Sequence, residues 1–308
     1  MTIEIAVVGV GKIARDQHLP TIAASDRFTL AGVVSRHADD LGVPAAATLP
    51  ELKQRVPDLS AVSICTPPIG RAAVIAQAFD LGLDVMVEKP PAATISEAER
   101  FADMARAAGR SLYLTWHSRE ANGVEPLRRW LEGRAIRRVA IEWMEDVRVW
   151  HPGQEWIWDA GIGVFDPGIN ALSILTRLLP RPVTIAASTL RYPANRSAPI
   201  AASLALAGEE VGDVTAEFSF DQRGPQTWTI TVETDGGTAV LRDGGGRLAI
   251  DGADVDVAEA TEYGRLYARF ADLAAARAID ADLSPFRLVA DAFLLGRREV
   301  VAPFHWTD

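Results

Sequence analysis

The sequence predicts a two-domain α/β protein, in which an N-terminal doubly wound parallel sheet is followed by an α+β domain with a largely antiparallel open sheet. Three observations carry this. The chain has 308 residues, past the size at which a single hydrophobic core keeps growing. From Ile3 to about His117 short β-branched runs alternate with helical patterns, the rhythm of parallel strands joined by crossover helices. Beyond His117 strand patterns follow one another directly, joined by glycine turns. The change of rhythm puts the domain boundary near residue 118, giving 1–118 and 119–308.

In the first half the strand patterns are Ile3–Val8, Phe28–Ser35, Ala61–Cys65, Asp84–Val87 and Ser111–Thr115, with amphipathic helices over Ile69–Leu81 and Ile95–Ala108. The second helix opens on a Thr94-to-Glu97 capping box and stops at Gly109. In the second half helices are predicted over Val124–Leu131 and Phe165–Leu178, with a long strand over Ile136–Val147 and a tryptophan-rich loop between them. Strands follow over Val183–Arg191, Ile200–Ala207, Gly212–Phe220, Trp228–Thr234, Thr238–Arg242 and Arg247–Ile250. The turns Asp235-Gly236-Gly237 and Asp243-Gly244-Gly245-Gly246 make antiparallel hairpins of the last three. Helical patterns over Tyr263–Ala278 and Pro285–Arg298 close the chain.

Composition narrows the function classes. With 48% hydrophobic and 23% charged residues the chain is ordinary globular protein. A formal charge of -10 repels phosphate backbones and anionic membranes, so no nucleic-acid or membrane partner is expected. An anionic cofactor is still compatible, because main-chain N–H groups at a helix start bind phosphate locally. The single cysteine, Cys65, forms no internal disulfide, and the opening Met1-Thr2-Ile3-Glu4 lacks a basic, apolar leader pattern. Both features, with the lack of a long apolar run, point to the cytoplasm.

The strongest motif is Gly9-Val10-Gly11-Lys12-Ile13-Ala14, which directly follows a strand and opens a helix. Gly9 permits the tight turn, Gly11 lets the main chain approach a pyrophosphate, and Ala14 allows close helix–strand packing, with Lys12 and Ile13 beside the cofactor. At the end of the second strand an NAD-selective site would carry a carboxylate for the ribose. Here that position reads Ser35-Arg36-His37. Arg36 there either pairs with a 2′-phosphate or is simply solvated, so both NADP and NAD are expected. Thr66-Pro67-Pro68 and Glu88-Lys89-Pro90 end two further strands on the edge where open α/β sheets bind ligands. Each has a plainer reading, prolines that stop strands and a solvated Glu88-Lys89 pair.

These motifs together resemble the Gfo/Idh/MocA oxidoreductases, with an N-terminal Rossmann domain, and the resemblance spans essentially the whole chain. It is nearer still to the bacterial aldose 1-dehydrogenases acting on L-arabinose and D-galactose. That likeness rests on Gly11 to Pro20, Trp116-His117-Ser118-Arg119, Trp150-His151-Pro152-Gly153-Gln154, Trp156-Ile157-Trp158 and Gly163 to Asn170. It implies that Lys89 is the catalytic lysine and that Glu145 and His151 contact the sugar. It also implies a homodimer formed through the open sheet face. Many members carry histidine where this chain has Asn170, and an amide is no base at neutral pH. The proton-accepting role therefore falls to Asp166, Lys89 or the pair, with Asn170 holding a sugar hydroxyl. Asp166 and Asn170, four apart, share a helix face. Asp166-Pro167 also reads as a helix N-cap followed by proline.

The stretch Trp143–Trp158 carries four tryptophans with Glu145, Asp146, His151 and Gln154 among them. Aromatic faces stack on pyranose rings while polar groups take the hydroxyls. Strand alternation places Ile141, Trp143 and Glu145 on one face. Trp150 and Trp228 are candidate walls and His117 a candidate lining residue, although each tryptophan singly reads as core. His18 reads as a packing residue. No metal-ligand spacing occurs, so no metal is expected.

The reading is an NAD(P)-dependent aldose 1-dehydrogenase in which the sugar lies between the domains and C1–H passes as hydride to nicotinamide, giving an aldonolactone. D-galactose and L-arabinose are favoured through the resemblance. The alternatives are a secondary-alcohol dehydrogenase for an inositol or polyol, and a non-enzymatic sugar or redox sensor.

Overall fold

The computed structural model describes residues 2–36 and 41–307, which divide into two compact units: Met1–His117 with Ala260–Leu283, and Ser118–Glu259 with Ser284–Asp308. The second stretch of the first unit is a difference from the sequence reading, which gave all of 119–308 to the second domain. Amphipathic periodicity shows that a helix near residue 263 needs a surface to cover. It does not say which sheet supplies that surface.

In the first unit the strands β1 (Ile3–Val8), β2 (Phe28–Val34), β3 (Ala45–Ala46), β4 (Ala61–Ile64), β5 (Asp84–Val87) and β6 (Leu112–Leu114) join the short strand Ile279–Asp280 in a seven-stranded parallel sheet. Its order is Ile279–Asp280, β6, β5, β4, β1, β2, β3. β4 and β5 are buried along their whole length, as expected of strands covered on both faces. The chain winds outward from β1 through β2 and β3, then restarts at β4 on the other side of β1. That reversal makes the carboxyl ends of β1 and β4 the switch point at which open α/β sheets bind ligands.

Four helices connect these strands: α1 (Leu19–Ala23), α2 (Leu49–Arg55), α3 (Arg71–Asp80) and α4 (Ile95–Ala108). α1 is preceded by a π-helical stretch, Ala14–His18, and α2 had no counterpart in the sequence reading. The capping box of α4 is present, with Thr94 Oγ1 accepting from the Glu97 amide and Glu97 Oε2 from the Ala93 amide. The returning helix Glu262–Ala276 buries Tyr263, Leu266, Tyr267 and Phe270 in one cluster with Ile5, Val7, Phe28, Met86 and Tyr113. Arg277 ends it in a left-handed conformation and bonds Asp84, which also accepts from the Ser111 amide.

The second unit is built on β7 (Ile136–Met144), β8 (Val183–Pro193), β9 (Ala201–Gly208), β10 (Val211–Ser219), β11 (Thr227–Thr234), β12 (Gly237–Arg242), β13 (Arg247–Ile250) and β14 (Ala253–Val255). With the strand Arg297–Val301 they form a nine-stranded sheet, β14, β13, β12, β11, β7, β10, β9, β8, Arg297–Val301. Most neighbours are antiparallel, including both predicted glycine hairpins; β7 with β10 and β8 with Arg297–Val301 are parallel. The helical pattern read over Pro285–Arg298 needs correcting. Helix Ser284–Leu295 stops before Gly296 and Arg297 begins a strand; the junction takes glycine, since a Cβ at Gly296 would press on the Ala292 carbonyl at 2.7 Å and on Leu190 at 2.6 Å.

The helices α5 (Val124–Trp130), α6 (Val147–Trp150) and α7 (Phe165–Leu178) complete this unit. α6 takes over from β7 where the sequence reading extended the strand to Val147. Asp146 caps it, accepting from the Arg148 amide. α7 lies close to β10 because Gly168 has no side chain: a Cβ there would stand 2.9 Å from the Phe218 ring. Gly168→Ala should therefore displace the start of α7 and destabilise the protein by about 1–3 kcal/mol, read as a lower midpoint in thermal unfolding; an unchanged midpoint would show that the helix has slack at this point.

Candidate active site

The predicted cofactor residues that are described all fall in the first unit, at the carboxyl ends of β1, β2, β4 and β5. Gly9 has φ +88°, and a Cβ on it would stand 2.8 Å from Thr66 Cγ2, so both its conformation and its contact with the next strand end require glycine. Gly11 is different: a Cβ there would meet nothing within 4 Å. The residue is exposed, which leaves room beside it for a bound group. Ala14 is fully buried against the sheet, Ile13 is partly exposed, and Lys12 is exposed in an ion pair with Asp16.

Thr66 Oγ1 is buried without a hydrogen-bond partner, which a bound polar group at the end of β4 would supply. Pro67 and Pro68 follow it, and the Pro68 carbonyl accepts from the Arg71 amide at 3.3 Å. Ser35 follows β2, its amide bonding the Ala46 carbonyl at 3.1 Å, and Arg36 is exposed. No carboxylate stands at either position, while His37 lies outside the described residues. The glycine turn, the unpartnered Thr66 hydroxyl and the Ser35-Arg36 end of β2 fit a dinucleotide.

Glu88 departs from the expectation of a cofactor contact or a solvated pair. It is 4% exposed, with its carboxylate turned into the unit. Oε1 accepts from Tyr263 Oη at 2.7 Å and lies 2.9 Å from His18 Nε2; Oε2 accepts from the Lys89 amide at 3.0 Å. His18 Nδ1 is 2.8 Å from Tyr267 Oη and 3.0 Å from Ser63 Oγ. Burial disfavours the Glu88 charge, but the hydrogen bond and charge of His18, the charge of His117 and the Tyr263 hydroxyl outweigh it and bring the pKa down to about 2. Burial likewise works against a charge on His18, yet Cys65, Tyr267 and Glu88 hold its pKa well above the ordinary range.

His18 is thus the packing residue that the sequence suggested, but as one half of a buried ion pair. The π-helical turn that ends on it sets its register. His117, read as a candidate lining residue, bonds Glu262 at 2.6 Å through Nδ1 and stacks on Tyr263 at 5.8 Å between ring centroids. Tyr263, Tyr267 and Glu262 were missed in the sequence, since they reach this cluster from some 145 to 250 positions away. Arg71 was missed as well. It is 2% exposed and donates to the carbonyls of Thr66, Glu88 and Pro90.

Of the predicted sugar contacts, Lys89 and His117 lie in the first unit and Glu145, Trp150, His151, Asp166, Asn170 and Trp228 in the second. Ile141, Trp143 and Glu145 are buried, in keeping with one face of β7 continuing past its end. Glu145 Oε2 accepts from Trp228 Nε1 at 3.1 Å, and Trp228 stacks on its cross-strand neighbour Trp143 at 6.0 Å. Trp150 lies 5.4 Å from Trp228 and is 40% exposed, with its indole N–H on Gln226. Trp156 is 43% exposed, whereas Trp143 and Trp158 are core residues. Of the four loop tryptophans, two therefore present faces to solvent.

His151 Nε2 stands 3.2 Å from Asp166 Oδ2, and its Nδ1 is 3.4 Å from Gln154 Oε1. Its ring edge meets Trp156 and Phe220. Asp166 does not cap α7, contrary to one of the two readings: Val164 is the N-cap, and Asp166 is the second helical residue. Its carboxylate is committed to His151 instead. Asn170, one turn on and half-buried, follows on the same face. Among the described residues no group of three or more His, Cys, Asp or Glu is gathered as a metal would need, and no helix is long and apolar enough to cross a membrane.

Comparison with known proteins gives this arrangement its class. Residues 3–115 match the model of the Oxidoreductase family, NAD-binding Rossmann fold. Over 303 residues, 98% of this chain and 99% of the relative, the sequence is 43% identical to a galactose 1-dehydrogenase of Pseudomonas fluorescens. The chain belongs to the Gfo/Idh/MocA oxidoreductases and is an enzyme of that class, which sets the sensor reading aside. Among solved structures it resembles a D-galactose-1-dehydrogenase from Rhizobium etli, at a TM-score of 0.95 and 46% identity, covering 99% of this chain and 98% of that one. A 3-ketoreductase from Actinomadura kijaniata, solved with TDP-benzene and NADP, shares the fold at a TM-score of 0.82 and 18% identity, over 98% of this chain and 100% of that chain.

The buried pair makes stability pH-dependent in a stated direction. Glu88 titrates near 4.5 when unfolded and about 2 when folded, so its contribution is complete above 4.5 and is lost as pH falls towards 2. Glu88→Gln should cost about 3–5 kcal/mol at pH 7, because it leaves His18 buried without its partner. The gap in melting temperature between wild type and variant should then narrow as pH falls from 4.5 towards 2; a gap independent of pH would place the Glu88 charge outside the stabilising interaction.

Proposed function

We propose that the protein is an aldose 1-dehydrogenase that oxidises the anomeric carbon of D-galactose and of L-arabinose to the aldonolactone, using NADP or NAD. The observation that carries this reading is the Asp166–His151 pair at 3.2 Å in the unit that also holds the Glu145–Trp228 contact and the exposed face of Trp150. A carboxylate held by an imidazole, with buried polar groups and aromatic faces in the same unit, suits a polyhydroxylated ring. The full-length kinship to a galactose 1-dehydrogenase supports the same substrate class. The two sugars match in configuration from C2 to C4, so one set of hydroxyl contacts serves both.

The nicotinamide, when bound, supplies the hydride acceptor. The residues of the chain do the rest. Asp166 takes the proton of the anomeric hydroxyl as the C1–H bonding pair departs and the C1–O double bond forms, while His151 holds the carboxylate in orientation. Asn170 hydrogen-bonds a ring hydroxyl, and Glu145, fixed by Trp228, takes another. Trp150 stacks on the less polar face of the ring. Lys89 orients the reacting hydroxyl. At the end of β2, Ser35 and Arg36 leave room for a 2′-phosphate and a partner for it.

Incubation with D-galactose, L-arabinose, D-glucose and myo-inositol, each with both cofactors, should give rapid absorbance growth at 340 nm with the first two and a lactone as product. A ring ketone from any of them would replace this reading with the secondary-alcohol dehydrogenase. Asp166→Asn should lower kcat by roughly 10²–10⁴-fold with a smaller change in KM; full retention of kcat would move proton acceptance to Lys89. Ser35→Asp should shift the ratio of kcat/KM from NADP towards NAD, and an unchanged ratio would remove Ser35 and Arg36 from cofactor selection.

A further inference from the structure

The reading of Lys89 as a catalytic lysine raises the question of what holds it in place, since β5 ends at Val87 and its pairing with β4 continues by one further bond, from the Glu88 amide to the Ile64 carbonyl at 3.0 Å. Two buried side chains take over. The Glu88 carboxylate accepts from the Lys89 amide at 3.0 Å. The Arg71 guanidinium donates to the Glu88 carbonyl on one side of Lys89 and to the Pro90 carbonyl on the other, and also to the Thr66 carbonyl at the end of the neighbouring strand β4. Arg71 enters from the first residue of α3, after Gly70, and is 2% exposed. It offers almost no surface to a sugar or a cofactor.

Three main-chain carbonyls that converge from two strand ends lie outside the regular sheet pairing and need donors in a dry environment. A planar fork with five N–H donors meets that need; a lysine, with a compact ammonium, does so less completely. Burial pulls the Arg71 pKa down to about 10, against the opposing charges of Glu88, Cys65 and Glu97, so the fork keeps its proton at neutral pH.

We propose that Arg71 is the positioning residue of the active site, locking the main chain on both sides of Lys89 to the Thr66 end of β4. It touches neither substrate nor cofactor and acts by keeping the lysine and the floor of the dinucleotide site in one register. This rests on the proposed reaction only for the consequence in catalysis; the locking itself is a property of the main chain.

The test compares Arg71→Lys and Arg71→Met with wild type by amide hydrogen exchange and by steady-state kinetics on D-galactose. Exchange at the Glu88 and Lys89 amides should rise in the Met variant and rise less in the Lys variant. kcat should fall by roughly tenfold to a hundredfold in the Met variant with sugar KM within about threefold, and recover in part with lysine. Unchanged exchange at these two amides, or a Met variant with wild-type kcat, would overturn the proposal. If the Met variant does not fold, the Lys variant carries the same comparison with the same criteria. A wild-type protein inert to the sugar, but with exchange altered as expected in the variants, would sink the assigned substrate and support the lock.

Discussion

The ion pair between Glu88 and His18 is the interaction on which the first unit of the molecule is built. A carboxylate and an imidazole removed from water repay their desolvation only if every remaining polar group is satisfied. Here Tyr263 donates to the carboxylate, Tyr267 and Ser63 reach the far side of the imidazole, and the Lys89 amide takes the second carboxylate oxygen. Those partners come from the helix after the glycine turn, the ends of two central strands and the helix Glu262–Ala276. The need to satisfy one buried pair thus draws a segment from the far end of the chain back onto the first sheet, where Phe270 and Leu266 add the apolar cover that makes the return favourable.

The π-helical turn Ala14–His18 belongs to the same constraint. An α-helical register from the glycine turn would carry residue 18 to a different angle on the helix; the extra residue per turn brings the imidazole inward. The first turn therefore has two sides, with Gly11 exposed on one and His18 buried against Glu88 on the other. Main-chain atoms dominate the proposed cofactor site in this unit, with the glycine turn at its surface and the strand-end carbonyls held from beneath by the buried Arg71. In the proposed sugar site the second unit works the other way, through the side chains of Glu145, Trp150, His151, Asp166 and Asn170, carried past the end of β7 and on α7. A dinucleotide is the same in every such enzyme, and invariant backbone suits it; a sugar must be told from its epimers, and exchangeable side chains suit that task.

What was legible in the sequence follows the range of the forces involved. The glycine turn, the Thr66-Pro67-Pro68 and Glu88-Lys89-Pro90 strand ends, the capping box of α4 and both glycine hairpins are determined by neighbours in sequence, and a reader of residues finds them. Gly9 could be assigned its turn, but not its contact with Thr66. Arg71 and Tyr263 carry no local mark, since a buried arginine and a buried tyrosine look like surface and core residues until the strands that surround them are assembled. The burial of Glu88 was equally hidden, although the wholly apolar run Val85–Val87 before it hinted that water is scarce there. The helix assigned over Pro285–Arg298 ends before Gly296, whose close approach to Leu190 on β8 leaves no trace in local periodicity. The tryptophan loop divided only in three dimensions, Trp143 and Trp158 going to the core, Trp150 and Trp156 to the surface.

The position of Asn170 shows how a chemical requirement can be met from another element. Where a histidine follows the helix aspartate by one turn, the same helix supplies both carboxylate and imidazole. In this chain the helix supplies Asp166 and an amide, and the imidazole beside Asp166 comes from His151, at the end of the short helix that follows β7. The ring is set by contacts on both nitrogens and by aromatic edges from Trp156 and Phe220. An amide in the vacated place cannot accept a proton, but it can donate and accept hydrogen bonds at once, which is what an equatorial or axial hydroxyl asks of a recognising group. In the proposed reaction, an imidazole supplied from the loop separates two duties: proton transfer falls to the Asp166–His151 pair, and the helix position becomes available for reading the sugar.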